Sequence, residues 1–391
     1  MSLGWGLRGY IGGGPLGAMI PGAMVVLSLC LLLHRKGEAN GIAAAFGAIG
    51  VGFGGQMTYG QTIGLTMHPE TAAWGLLGLT LKGAIWGLLG GAIIGTGLQR
   101  EIPPRKLRLA ILSLMAACTI GWKLINEPKL IYFSDPVNKP RPEIWAGLLL
   151  AALAFLVVIH SRITWDFAWI ACLGGGAGFG IGGWFNAIGR TSHIHTPIDW
   201  WKIMEFTFGL LFGAALGYAA WRNRESLSVE PAGQTSKFWF LLLPLVPICI
   251  AAEERSSFRF AYTVVGALLL PLVAANARFA WQIAITMTCT AFAVDFAQSR
   301  AAWTQQTFLW VCAVAVSLLT GWLTDRNRSV FTIFLFLIWA AVVDSYLKAW
   351  LPPFEWSTKA YAHAHVEIAF TILAVGATWF ALRIRAKLAL A

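Results

Sequence analysis

Apolar runs of about 17 to 25 residues, the length that spans a bilayer as helix, follow one another along almost the whole chain with short polar connections between them. In hydrocarbon no water is present to satisfy backbone N–H and C=O groups, so each run must close its own hydrogen bonds as a helix. Hydrophobic residues make up 57% of the 391 positions and charged residues only 12%, which excludes an ordinary soluble domain. Nothing alternates in polarity over segments of about ten residues, as an outer-membrane barrel would require. The fold expected is all-α: a polytopic helical membrane protein with about 13 transmembrane helices.

The expected spans are 10–33, 40–66, 72–98, 106–126, 143–160, 164–188, 198–221, 237–252, 260–276, 279–298, 304–323, 330–347 and 366–383. Pro15 and Pro21 interrupt the first, and the short eighth carries Pro244 and Pro247. Lys and Arg are retained on the cytoplasmic side, and here they follow the odd-numbered spans: Arg35 and Lys36, Arg100 to Arg108, Arg162, Arg222 and Arg224, Arg278, Arg326 and Arg328, and Arg383 to Lys387. The opposite connections hold Lys129, Lys139, Arg141, Arg255, Arg259 and Lys359, many beside acidic residues. This pattern predicts a multi-pass protein of a bacterial-type cytoplasmic (inner) membrane, with the N-terminus outside and the C-terminus cytoplasmic. Met1 to Gly9 lack a compact basic region, so the first span is expected to be its own insertion signal.

The net charge of +11 is scattered through these short connections and forms no groove or aromatic-lined stripe, so no nucleic-acid partner is expected. Positive-inside topology and attraction to anionic lipid account for it. Trp145, Trp165, Trp200, Trp201, Trp350 and Trp356 fall at span ends, where amphipathic rings prefer the interface. Cys30, Cys118, Cys172, Cys249, Cys289 and Cys312 lie inside spans with no CxxC pairing and read as small apolar fillers. Neither a metal nor a cofactor is expected. Without a GxxxxGK[ST] loop, active transport would draw on an ion gradient or a separate ATPase subunit.

Glycine divides the chain. All but Gly233, Gly266, Gly321 and Gly376 of the 42 glycines precede residue 222. The expected organisation is a glycine-rich module of about seven spans at 1–221, a cytoplasmic linker at 222–237, and a module of about six spans at 238–391. Within the first module the patterns occur twice. Gly87, Gly91 and Gly95 recur as Gly209, Gly213 and Gly217, and the cluster with Gly52, Gly54 and Gly55 recurs with Gly180, Gly182 and Gly183. A fainter copy, Gly4-Trp5-Gly6-Leu7-Arg8-Gly9, precedes the first span. The reading is an internal duplication with parallel copies.

Glycine every fourth residue bares a stripe against which another backbone packs, and packing alone is one reading of these clusters. The other is that the clusters break the helix in mid-membrane and offer backbone groups to a solute, as in transporters with discontinuous helices. Polar residues follow both copies. Gln56, Tyr59, Gln61 and Thr62 after the first, and Asn186 and Arg190 after the second, are the candidate substrate contacts, with Arg190 pairing an anionic group. Lys82 and Glu205 lie at nearly the same depth in the two striped spans and are expected to meet, as a structural pair or as a coupling gate.

Two outer-face groups carry a different reading. His193, His195 and Asp199 follow the sixth span, and His363, His365 and Glu367 precede the last, with Asp295 and Asp344 closing the tenth and twelfth. A membrane-embedded transferase or hydrolase would use such residues as acid, base or ligands. The run of glycine-rich hairpins resembles bacterial sulfur-compound uptake carriers. Those carriers place cysteines in the pathway and none follows the glycine clusters here, so that function is not implied. The favoured function is transport, active or facilitated, of a small polar or anionic solute. The alternatives are the outward-facing enzyme and a non-catalytic scaffold subunit. The partners expected are the lipid bilayer and the solute or an ion, with a homo-oligomer as one option; the second module would be scaffold, oligomer contact or, in the enzyme reading, the catalytic portion.

Overall fold

The computed structural model describes residues 1–8, 14–35, 37–101, 103–134, 141–192, 199–227, 261–285, 329–350 and 359–390, with isolated helical positions between 311 and 323. At 261, 347–350, 359–364 and 388–390 the description covers the backbone alone. The described residues are helical, with no strand among them. In chain order the helices are α1 (Ser2–Arg8), α2 (Gly14–Leu32), α3 (Ala39–Gly54), α4 (Gly60–Leu65), α5 (Ala72–Gly97), α6 (Pro104–Gly121), α7 (Trp145–Ile159), α8 (Arg162–Thr191), α9 (Trp200–Arg222), α10 (Arg224–Leu227), α11 (Ala261–Ala275), α12 (Val330–Trp350) and α13 (Lys359–Leu390).

Six helical stretches among the described residues are long and apolar enough to cross a membrane: Gly14–Leu32, Ala72–Gly97, Pro104–Asn126, Arg162–Thr191, Trp200–Arg222 and His365–Lys387. Shorter apolar helices are Ala39–Gly54, Trp145–Ile159, Tyr262–Ala275 and Val330–Tyr346. The expected second span, 40–66, is interrupted: α3 stops at Gly54, turns occupy the following residues, and α4 restarts at Gly60. The expected eighth span and most of the tenth and eleventh lie outside the described residues.

Glycine sets the packing. Along α5, a Cβ on Gly83, Gly87 or Gly91 would collide with the backbone of Gly175, Ala171 or Phe167 of α8, so the two helices run antiparallel in direct backbone contact. The opposite side of α8 is bare as well. Gly174, Gly178 and Gly182 seat Leu211 with Ala215, Phe208 and Met204 of α9. The helix is therefore held between two neighbours by van der Waals contact, the force that remains when lipid replaces water.

The two expected glycine stripes have different partners. Gly87, Gly91 and Gly95 face α8, whereas Gly209 and Gly213 seat Met1, Ser2 and Trp5 of α1, and Gly217 has nothing within 4 Å. The clusters differ too. Gly52 lies under the Tyr262 hydroxyl, Gly54 under the Trp86 ring and Gly55 against Gly14 and Pro15, while Gly180 meets Thr80, Gly182 meets Met204 and Gly183 meets Leu79.

Several helix ends are closed by side chains or by left-handed residues. α6 continues into a π-helical turn, Trp122–Asn126, and the Asn126 Oδ1 accepts from Ala146 N and Gly147 N at 3.1 Å each, satisfying two orphan donors at the start of α7. His160 ends α7 at φ 44°, with its N–H on Leu156 O. His34 ends α2 at φ 53°, where His34 N reaches Leu31 O and Arg35 N reaches Cys30 O, the paired bonds of a Schellman motif.

The loops expected to follow the odd-numbered spans meet at one end of the bundle. Arg35 donates to the carbonyls of Leu98 and Leu227, and Gln99 bonds Ser161 and Thr164. The ends of α2, α5, α7 and α9 therefore share a face. The start of α12 and the end of α13 join them around a cleft lined also by Arg35.

Candidate functional site

At the other side of the bundle the break between α3 and α4 gathers two buried polar clusters. α3 is 16 residues long, so the break stands about 24 Å along the axis from the Arg35 end. Gln56, an expected substrate contact, instead fastens the break to α11. Its Nε2 donates to Thr263 Oγ1 at 3.0 Å, and its Oε1 accepts from Thr263 N at 3.1 Å.

The first cluster surrounds Lys82. Its Nζ donates to Thr58 O at 2.7 Å, Thr62 Oγ1 at 2.8 Å and Glu143 Oε1 at 2.8 Å. Glu143 also accepts from Phe133 N and Ser134 Oγ at 3.1 Å each, and Thr62 donates to Phe133 O. All three ammonium protons and both carboxylate oxygens are used. The expected Lys82–Glu205 contact does not form, because each residue has a nearer partner of opposite charge.

The second cluster surrounds Arg8, at the end of the short α1, and Glu205, in the second turn of α9. Arg8 is 2% exposed. Its Nη1 donates to the Tyr59 hydroxyl at 2.7 Å, its Nη2 reaches Gly14 O at 3.3 Å, and its Nε has no partner. The guanidinium lies 5.2–5.4 Å from the ring centroids of Trp5, Tyr59 and Trp86, a cation–π cage. Glu205 is fully buried and accepts from Lys202 Nζ at 2.6 Å and Trp201 Nε1 at 3.0 Å, with the Tyr59 hydroxyl at 3.5 Å. Lys202 also donates to Gly6 O.

The one carboxylate of this cluster is thus taken by Lys202, with Arg8 linked to it only through the Tyr59 hydroxyl. Among the described residues no carboxylate pairs with Arg8 directly. Beneath the charges the aromatic packing continues through Phe179 and Phe208, whose rings lie 4.4 Å apart. The Trp5 Nε1, Thr58 Oγ1 and Gln61 Oε1 near this break are buried without partners. Asn186 is fully buried, and neither its Oδ1 nor its Nδ2 has a partner. The α8/α9 register set by Gly178 on Phe208 and Gly182 on Met204 puts Asn186 level with the Trp200–Trp201 turn.

The expected contacts therefore separate. Tyr59, Thr62 and Gln61 lie in or beside the clusters, and Asn186 is a buried polar group on α8. Arg190 is exposed in the last turn of α8, outside both clusters. α8 runs unbroken through Gly178 to Gly183, so only the first glycine cluster ends a helix. Arg8, Glu143 and Lys202 were not expected. Arg8 sat in a weak glycine pattern too short to register as a span, Glu143 at the first position of the expected fifth span, and Lys202 beside two interfacial tryptophans.

Of the outer-face set, His193, His195 and Asp295 and the side chain of His363 lie outside the described residues. Asp199 caps α9 through Trp201 N, and its own N–H donates to His365 Nε2 at 3.3 Å. No protein-family model matches the chain, and no curated protein or solved structure does either.

Proposed function

We propose that this chain is an integral membrane transporter or facilitator of a small anionic solute, with its binding site at the α3–α4 break. The observation that carries the reading is Arg8: a permanently charged side chain buried in an aromatic cage, with an unused Nε and, among the described residues, no carboxylate of its own. An ionisable residue inside a membrane bundle marks a pathway by default. Tyr59 connects Arg8 to the Lys202–Glu205 pair, and the unpartnered Asn186 amide supplies donors on α8. An anion entering the cage would balance the excess cation and draw on these donors.

The architecture of the proposal keeps thirteen spans and duplicated glycine-rich hairpins. It puts the protein in a bacterial-type inner membrane, with the N-terminus outside and the Arg35 end cytoplasmic. The convergence of the odd-numbered loops supports that orientation. Electrical recording from reconstituted membranes, with chloride, formate, sulfate and phosphate as probes, tests the function. Current for at least one anion, abolished in Arg8→Gln, is expected. Membranes indistinguishable from protein-free controls for all four would sink it.

A second reading, a non-transporting scaffold subunit, is favoured by the fully buried Trp5, Phe179 and Phe208 that fill the cage. Absent anion current in a correctly folded protein is the outcome it requires.

A further inference from the structure

The loop end carries a cleft of about 480 Å³ between the end of α2, the start of α12 and the end of α13. One wall is Arg35, 5% exposed. Its Nε donates to Asn40 Oδ1 at 3.2 Å and its Nη1 to the carbonyls of Leu98 and Leu227 at 2.8 Å each, while its Nη2 has no partner. The guanidinium is a rigid fork of five donors. Two of its nitrogens clamp the loops together and the third is left over. Leaving a buried charged donor unmatched costs more than leaving a neutral one, so the position calls for an acceptor.

The facing wall is the first turn of α12. Its first internal bond runs from Ile333 N to Ser329 O at 3.0 Å, so the N–H groups of Val330, Phe331 and Thr332 precede the helical ladder. Oriented amides at a helix start favour an anion. Arg385 stacks over the Phe331 ring, 4.8 Å from its centroid, and completes the third side. No carboxylate is among the described residues that line the cleft. Arg35, the α12 amides and Arg385 come from three separate elements and are all electropositive.

We propose that this cleft binds a phosphate group, held between Arg35, the first turn of α12 and Arg385. Phosphate has several acceptor oxygens, suits a guanidinium edge and accepts helix-start amides. A free phosphate or phosphoester, or the headgroup of an anionic lipid, presents the same chemistry at this face. The site is at the opposite end of the bundle from Arg8 and does not depend on the transport reading.

The test is thermal unfolding of the purified full-length chain in two arms. One compares inorganic phosphate with chloride at matched ionic strength in a neutral detergent. The other compares phosphatidylcholine nanodiscs with and without phosphatidylglycerol. Binding to the folded form raises the unfolding temperature, and a rise of several degrees in at least one arm is expected. A rise with phosphate identifies a soluble ligand, and a rise only with phosphatidylglycerol identifies a headgroup. Arg385→Gln, on an exposed side chain, should weaken the apparent affinity about tenfold, equivalent to about 1.4 kcal/mol, without lowering the unliganded unfolding temperature. Arg35→Lys should act likewise, and if it fails to fold then Arg385→Gln decides. No rise in either arm, or the same rise in Arg385→Gln as in the wild type, overturns the proposal.

Discussion

Lys82 Nζ and Glu143 Oε1 are 2.8 Å apart, with each side chain 1% exposed, although 61 residues separate them in the chain. The pair joins the middle of α5 to the segment entering α7 and, through Thr58 and Thr62, to the α3–α4 break. Removing one partner leaves the other charged and buried, at a cost of about 3–5 kcal/mol, whereas replacing both with apolar groups of similar volume is far milder. Lys82→Met is therefore expected to lower the unfolding temperature sharply. Lys82→Met combined with Glu143→Met should recover most of the loss. The charge swap Lys82→Glu with Glu143→Lys should not, because a carboxylate at 82 would be repelled by the Thr58 carbonyl and an ammonium at 143 by the Phe133 N–H. Glu205→Gln should add to Lys82→Met within about 0.5 kcal/mol, as independent sites do. Strong coupling between 82 and 205 in thermal unfolding would contradict the arrangement.

Gly87 opens the first glycine stripe and Gly217 closes the second, and their surroundings are opposite. A Cβ at 87 would run into the Ala171 carbonyl, whereas at 217 it meets nothing within 4 Å. Gly87→Ala should cost about 1–3 kcal/mol by forcing α5 and α8 apart. Gly217→Ala should be neutral or stabilising by up to about 1 kcal/mol through helix propensity. Paired melting curves of the two variants measure this, and equal losses would refute it.

His160 holds left-handed backbone, φ 44° and ψ 51°, to end α7. A side chain in that region costs about 1–2 kcal/mol that glycine does not incur. His160→Gly should raise the unfolding temperature by a few degrees. A lower value would mean that the imidazole contributes more than the backbone loses.

The Tyr59 hydroxyl accepts a hydrogen bond from Arg8 Nη1 and faces Glu205. Tyr59→Phe leaves a buried charged donor with nothing to accept it, a loss above the roughly 1–3 kcal/mol of a neutral donor. Thermal unfolding should show that drop, and anion current should fall with it. Unchanged stability would show that the Arg8 cage holds without the hydroxyl.

Helix positions were legible where apolar runs were long. The expected spans 72–98, 106–126, 143–160, 164–188 and 198–221 end within a few residues of α5 to α9, because hydrocarbon length and loop charge leave little freedom. The place of Lys82 and Glu205 within apolar helices was legible as well, but their partners were not, since Glu143, at the edge of an expected span, shows no sign in the sequence of turning toward α5. Glycine clusters look alike in sequence whether a helix ends there or is pressed between neighbours. At α8 both faces are occupied by backbone of α5 and α9, and the helix stays unbroken. At α3 the chain turns away, with Gly55 against Gly14 and Gln56 tied to Thr263. The residues of α1 are too few to form a recognisable span, so Arg8 went unseen.

Thr58 and Tyr59 are consecutive, and one contributes its carbonyl to Lys82 while the other contributes its hydroxyl to Arg8. A single residue step therefore anchors two electrically distinct groups. Turning the Thr58–Tyr59 peptide plane can release the ammonium while the phenol stays on the guanidinium, so the two can be loosened one at a time.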